Sequence, residues 1–262
     1  MSFRSILALV VALAPFLISA NRARADLRIV TTTTDLADIA RTIGADHVQV
    51  ESICQGTQDP HHVQARPSYM VRLARADLLL AVGLELEVGW LPGLIRGARN
   101  PSINPGRPGY FEGATAITPI DVPRGAIDRS QGDVHPLGNP HFWLDPENTM
   151  RVASAIAGRM GELDAGNAAL YQRNAAAYRE RLGRALTRWR ERLAPFHGTR
   201  VVSYHATFNY LLRRFGLVGA GYIEERPGIP PAPAHLAQLI QTMRAQGIHV
   251  IRWPACKHVL PP

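Results

Sequence analysis

The stretch Asn139-Pro140-His141-Phe142-Trp143-Leu144-Asp145-Pro146 decides how the middle of this 262-residue chain folds. Asp145 is a suitable helix N-cap, and Pro146 fits the first helical position because no backbone N–H is needed there. The stretch therefore predicts a helix that begins at Pro146. It also predicts that His141 is fixed on the short loop before that helix.

Strand-like segments alternate with amphipathic helical segments on both sides of this stretch. Residues 78–82 form a continuous apolar run, which is typical of a strand buried on both faces. A further short strand is predicted at 116–120. The alternation with short loops predicts an α/β fold in which parallel sheets are flanked by helices.

The longest helical segment runs from Asn167 to Arg192 and would span about 39 Å at the rise of an α-helix. We interpret it as a connecting helix between two lobes. The predicted organisation is a signal peptide at 1–25, an N-terminal metal-binding lobe at 26–163, the connecting helix at 164–194 and a partial C-terminal lobe at 195–262. From about residue 252 the sequence no longer follows the βα pattern.

The first 25 residues have the pattern of a secretory signal peptide. Arg4 precedes the apolar run Ile6–Ala20, and Ala23-Arg24-Ala25 offers a cleavage site between small residues. The run is shorter than the roughly 20 residues that a membrane span needs. We therefore expect a soluble mature protein in the periplasm, starting near Asp26.

The positive charge of the chain does not indicate nucleic-acid binding. The formal net charge is +8, and removal of residues 1–25 lowers it to +5. Much of the remaining excess is a run of arginines within the long helical segment, which is more typical of a solvated helix face. Export, and the lack of a basic motif interleaved with aromatic residues, also argue against a nucleic-acid partner.

Three histidines occupy comparable places in the chain. His61 lies in Asp59-Pro60-His61-His62, His141 in the stretch quoted above, and His205 in Ser203-Tyr204-His205. Each follows a strand-like or loop segment and precedes a helix-like one, and ligands of parallel sheets bind at the carboxyl ends of the strands. Three imidazoles placed in this way predict one metal ion held between loops.

These motifs, in this order, resemble the zinc/manganese-type periplasmic substrate-binding proteins of ABC transporters. The resemblance runs from about Leu27 to Ile251 and rests on the following motifs: Asp59-Pro60-His61 with Arg66-Pro67-Ser68, then Asn139 to Pro146, then Ser203-Tyr204-His205 with Phe208 and Tyr210-Leu211, then Ile223-Glu224 with Pro227-Gly228-Ile229-Pro230-Pro231. It implies two α/β lobes joined by a long helix, with one metal ion between them.

The resemblance implies His61, His141 and His205 as the metal ligands, with His61 preferred to His62 because it directly follows Asp59-Pro60. His62 is then a neighbour, and His135, on a polar loop, has an auxiliary role. A histidine at the position of His205 is similar to the zinc-binding branch, since manganese binders tend to carry glutamate there. Imidazole suits zinc, whereas manganese favours oxygen ligands.

One expectation concerns the end of the chain. The family's fourth ligand is an acidic residue further on in the C-terminal lobe, and this sequence ends before it. The closing stretch from Arg252 to Pro262 does not resemble the family. We therefore expect a C-terminal lobe that is incomplete, through a truncated or frame-shifted reading.

The expected function is capture of Zn²⁺, as the transported ligand, and its delivery to the membrane permease of an ABC importer by a monomer that performs no chemistry. Manganese or iron binding at the same site is the alternative within this class. A zinc-dependent hydrolase is the alternative from another class, but the sequence lacks a His-Glu-x-x-His helix and an obvious general base beside the histidines.

Overall fold

A computed structural model of the chain describes residues 26–56, 58–125, 134–224, 228–248 and 251–252. The predicted signal peptide and the closing residues 253–262 lie outside the described residues. No helix in the described ranges is both long and apolar enough to cross a membrane.

The first half of the chain forms a parallel sheet with helices on both faces. Its elements are, in chain order, β1 (Leu27–Thr31), α1 (Thr34–Gly44), β2 (Val48–Ser52), α2 (Pro67–Ala74), β3 (Leu78–Ala81), α3 (Leu91–Ala98), β4 (Tyr110–Glu112) and α4 (Pro146–Leu163). The strand order is β2-β1-β3-β4, with every neighbouring pair parallel.

The central strand β3 separates two hydrophobic layers. Leu78 and Leu80 belong to the layer that contains α1 and α4, while Leu79 and Ala81 belong to the layer that contains α2 and α3. Alternate side chains of a strand point to opposite faces. All four residues are buried, which confirms the prediction of a strand covered on both sides.

The second half builds a smaller parallel sheet in the described residues. Its elements are α5 (Ala168–Leu193), β5 (Arg200–Ser203), α6 (Asn209–Arg214), β6 (Val218–Tyr222), α7 (Pro233–Ala245) and β7 (Ile251–Arg252), and the strand order is β6-β5-β7. The α/β class, the parallel sheets and the long connecting helix predicted from the sequence are therefore confirmed.

Two local predictions differ from the structure. The fourth strand of the first sheet is β4, and a 3₁₀ turn at Gly113–Ala116 occupies the start of the segment predicted as a strand. The apolar pattern of α5 predicts that Ala177 faces inward, but its side chain is exposed, and the buried positions are Tyr171, Ala175 and Leu186. Pairing to β3 and packing on α4 decide these positions, and neither can be read from local sequence.

The start of α4 carries an ionic junction between the lobes. Asp145 caps the helix, as predicted, by accepting from the backbone N–H of Glu147 at 2.9 Å. The same carboxylate accepts two hydrogen bonds of 2.7 Å from Arg214 of α6. The hydrogen bond to Asp145 raises the pKa of Arg214 above its ordinary value, and Arg190 of the connecting helix bonds to Glu147 at 2.7 Å.

We expect Asp145→Ala to lower the free energy of unfolding by about 2–4 kcal/mol, because it removes a helix cap and leaves a partly buried guanidinium without its main partner. Urea denaturation of the metal-free protein measures this loss. Glu180→Ala is the matched control, since it removes an exposed carboxylate paired with Arg184 and should cost about 0.5 kcal/mol or less. Equal losses of unfolding free energy in the two variants would show that the contacts of Asp145 do not stabilise the fold more than an exposed ion pair does.

Candidate metal centre

His141 is fixed by the asparagine two residues before it. The side-chain oxygen of Asn139 accepts from the backbone N–H of His141 at 3.0 Å and lies 2.8 Å from the ring Nδ1. An asparagine that bonds to the backbone two residues on is a common turn device. His141 is 4% exposed, and its Nε2 is the ring nitrogen on the side away from Asn139.

His61 is held in the same manner by an aspartate. Asp59 Oδ1 accepts from the backbone N–H of His61 at 3.0 Å and lies 2.7 Å from its Nδ1. The loop is tied to the first lobe by the indole N–H of Trp90, which donates to the carbonyl of Pro60 at 2.9 Å. A carboxylate on the outer nitrogen fixes the ring orientation and raises the basicity of the inner nitrogen.

His205 follows β5 and is anchored through Nε2, whereas His61 and His141 are anchored through Nδ1. Its Nε2 lies 2.6 Å from the hydroxyl of Thr207, while its Nδ1 lies 3.9 Å from Glu224 Oε2. Ser203 Oγ donates to the carbonyl of His205 at 2.8 Å, which fixes the turn after the strand. His205 is 5% exposed, so its imidazole is almost fully withdrawn from water.

The structure brings these three imidazoles together between the lobes. The ring centroids of His61 and His141 are 5.3 Å apart, those of His141 and His205 are 5.4 Å apart, and those of His61 and His205 are 6.0 Å apart. With Zn–N bonds of about 2.0–2.1 Å, imidazole centroids in a tetrahedral zinc site lie about 5.2 Å from one another. The spacing therefore fits a shared zinc ion to within about 1 Å.

The arrangement is not a closed coordination sphere. Within the described ranges, no three His, Cys, Asp or Glu side chains are already placed so that they could hold an ion together. For three of these side chains to share one ion, their donor atoms would have to move closer together.

The two auxiliary histidines differ from each other. The His135 ring centroid lies 5.2 Å from that of His61 and 6.4 Å from that of His141, and its Nε2 is 3.2 Å from His61 Nε2. His62 is exposed, and its ring centroid lies 6.2 Å from that of His61. The structure thus adds His135 to the cluster and leaves His62 at its edge.

The sequence did not single out three polar side chains that support the cluster, Asn139, Thr207 and Glu224. The sequence feature that could have identified Asn139 and Thr207 is that each lies two residues from a histidine. Asp59 has the same separation from His61. Glu224 follows β6 and could have been found by applying to it the rule used for the histidines, that ligands gather at the carboxyl ends of parallel strands.

Two α/β lobes joined by a long helix, with buried imidazoles where the lobes meet, define a substrate-binding protein whose ligand is a metal ion. Residues 29–253 match the family described as ZnuA, zinc-uptake complex component A, periplasmic. The chain belongs to this family.

Relatives of known name are metal-binding proteins of several kinds. The chain is 27% identical over 251 residues to the manganese ABC transporter substrate-binding lipoprotein PsaA of Streptococcus pneumoniae, with 92% of this chain and 77% of the relative covered. It is 29% identical over 221 residues to the iron-binding protein YfeA of Yersinia pestis, with 82% and 66% covered.

Solved structures agree with the fold. A crystal structure of ZnuA superposes with a TM-score of 0.74 at 25% identity and covers 89% of this chain and 84% of that one. The substrate-binding protein FpvC of Pseudomonas aeruginosa in complex with Mn²⁺ gives 0.68 at 26% identity, with 86% and 78% covered. The protein is therefore a metal ABC transporter substrate-binding protein, a class that binds metal ions and works with a membrane permease.

We expect Asn139→Ala to weaken metal binding by about 10–100-fold, the usual cost of removing a group that orients a metal-binding histidine. A competition titration against a chromophoric chelator measures the affinity. Asn100→Ala is the matched control, because Asn100 makes comparable side-chain hydrogen bonds to the carbonyls of Leu73 and Ala76. These carbonyls precede β3 and lie at the amino ends of the strands, away from the histidines. Unchanged affinity in a folded Asn139→Ala protein would refute the orienting role.

Proposed function

We propose that this protein captures zinc in the periplasm and delivers it to the membrane permease of an ABC importer. His61, His141 and His205 are the proposed ligands, and His135 is an auxiliary ligand that assists capture. The observation that carries the proposal is the gathering of nitrogen donors from both lobes. Imidazole suits zinc, whereas manganese prefers carboxylate, carbonyl and water oxygens.

The charge around the cluster also supports a divalent cation as cargo. Asp59 lies against His61, and Glu224 lies near His205. Three neutral imidazoles do not offset the double positive charge of the ion, so nearby carboxylates supply part of the compensating negative charge. The side chains of His61 and His205 are 8% and 6% exposed, and this burial strengthens their electrostatic interaction with an ion.

The lobe structure supports handover without chemistry. We place the N-terminal lobe at residues 26–163, the connecting helix at 164–194 and the C-terminal lobe from residue 195. In this arrangement the ion is held between the lobes, from which it passes to the permease. The family consists of transport proteins rather than enzymes, and we propose that this chain acts as an exported monomer.

Manganese and iron are the competing cargoes, because the relatives PsaA and YfeA are named for them. A direct comparison of zinc and manganese titrations therefore decides the metal.

We expect calorimetric titration of residues 26–262 with Zn²⁺ to show one tight site, with Mn²⁺ binding at least 100-fold more weakly because the ligands are nitrogens. His141→Ala should weaken zinc binding by more than about 100-fold, since even groups that only orient a ligand cost about 10–100-fold. His47→Ala removes an exposed histidine on a 3₁₀ turn and is the matched control.

Two results would refute this assignment. Tighter binding of manganese than of zinc would show that manganese is the cargo. Zinc binding that survives His141→Ala unchanged in a folded protein would place the site elsewhere. Circular dichroism of each variant establishes that it is folded.

A further inference from the structure

We propose that Glu224 is a fourth metal ligand in this protein, and that its carboxylate binds the ion beside Nδ1 of His205. The inference rests on the proposed function, because it concerns the same site. It adds an oxygen donor and a negative charge to a donor set otherwise made of imidazoles.

The backbone places Glu224 beside His205. β5 and β6 are parallel, and their pairing continues past the strands: the N–H of Ile223 donates to the carbonyl of Ser203 at 2.9 Å, and the N–H of Glu224 donates to the carbonyl of Tyr204 at 2.7 Å. The residues that follow the two strands therefore lie next to each other. Glu224 is held there by main-chain hydrogen bonds and not by the reach of a flexible side chain.

A β-bulge determines the direction in which Glu224 points. The register between β5 and β6 shifts by one residue, because Val201 pairs with Gly219 and Val202 pairs with Gly221. A shift of one residue reverses the face on which every later side chain of the strand lies. Bulges commonly re-aim side chains next to functional sites, and this one directs the carboxylate of Glu224 to within 3.9 Å of the His205 ring.

The anchoring of the imidazoles indicates which nitrogen of each ring faces the ion. In each histidine one ring nitrogen is bonded to an oxygen two residues away: Nδ1 of His61 to Asp59, Nδ1 of His141 to Asn139, and Nε2 of His205 to Thr207. For His61 the opposite nitrogen, Nε2, lies on the cluster side, 3.2 Å from His135 Nε2. By the same arrangement, Nδ1 is the nitrogen of His205 that faces the cluster, and Glu224 lies on that side.

The distance fits two ligands of one ion better than a hydrogen bond. With metal–ligand bonds of about 2.0–2.1 Å, two donors of a tetrahedral zinc site lie about 3.3 Å apart, whereas a hydrogen bond requires about 2.7–3.2 Å. From 3.9 Å, a closure of roughly 0.6 Å would make both atoms ligands. Glu224 is 4% exposed, and placing its charge next to a dication offsets the cost of withdrawing it from water.

The first test is the variant Glu224→Gln, which preserves shape and removes the charge. Its zinc affinity, measured by chelator competition, should fall by more than the about 10–100-fold that loss of an orienting group costs. Asp164→Asn is the matched control: Asp164 is equally buried, at 4% exposure, but follows the far end of α4, about 28 Å from Asp145 by helix rise. The control should bind zinc as the wild type does.

The second test does not depend on a variant. In the infrared difference spectrum between the zinc-bound and metal-free wild type, a carboxylate stretching band should shift. Selective ¹³C labelling of glutamate side chains should move that band, which assigns it to glutamate and not to Asp59. The band should be missing from the spectrum of Glu224→Gln.

The outcomes separate this proposal from the proposed function. If the wild type binds zinc and His141→Ala abolishes binding, but Glu224→Gln binds normally and no glutamate band shifts, Glu224 is not a ligand and the zinc site stands. A loss within about 10–100-fold without a shifted band also overturns ligation, because Glu224 then only orients His205. Failure of the wild type to bind zinc overturns both.

Discussion

The amide of Asn139 is the group on which the geometry of the site depends. Its oxygen fixes both the backbone and the ring of His141, and its nitrogen donates to the carbonyl of Ala206 in the other lobe at 2.7 Å. The carbonyl of Asn139 accepts from the hydroxyl of Tyr210 at 2.9 Å. Burial raises the pKa of that hydroxyl above its ordinary value, so it remains protonated and able to donate. Asn139 thus fixes the orientation of the proposed ligand His141 and also links the two lobes through hydrogen bonds.

The rest of the interface reinforces this bridge. Asp145 and Glu147 begin α4 in the first lobe, and Arg214 of α6 pairs with both, at 2.7 and 2.8 Å. Arg190 brings the end of the connecting helix to the same carboxylate, Glu147. A charged network that is only partly exposed depends on geometry more than an exposed pair does. The lobes are therefore held in register within a few residues of His141, and a wide hinge opening would break several of these bonds together.

The site combines neutral imidazole donors with carboxylates that lie beside them, Asp59 and Glu224. Asp59 contacts Nδ1 of His61 and would stabilise a bound cation through that ring, in the way that carboxylates commonly support metal-binding histidines. Asn139 supports His141 without adding charge, and Thr207 does the same for His205. The three anchors are chemically different, but each fixes a ring from two residues away. The short loops therefore orient the imidazoles before a metal ion arrives, which reduces the ordering that binding requires.

The sequence by itself determined most of the helices and strands. The apolar run of β3, the cap at Asp145 and the helix that begins at Pro146 follow from patterns within a few residues, as does the long connecting helix. The histidine motifs carry Asp59 and Asn139 within them. Only the tertiary structure decided the long-range features: β4 is set by pairing with β3, His135 meets His61 across 74 positions, and Arg214 meets Asp145 across 69. Glu224 reaches His205 because two parallel strands pair with a one-residue bulge. Such contacts depend on strand register and side-chain packing between distant segments, which local propensity does not encode.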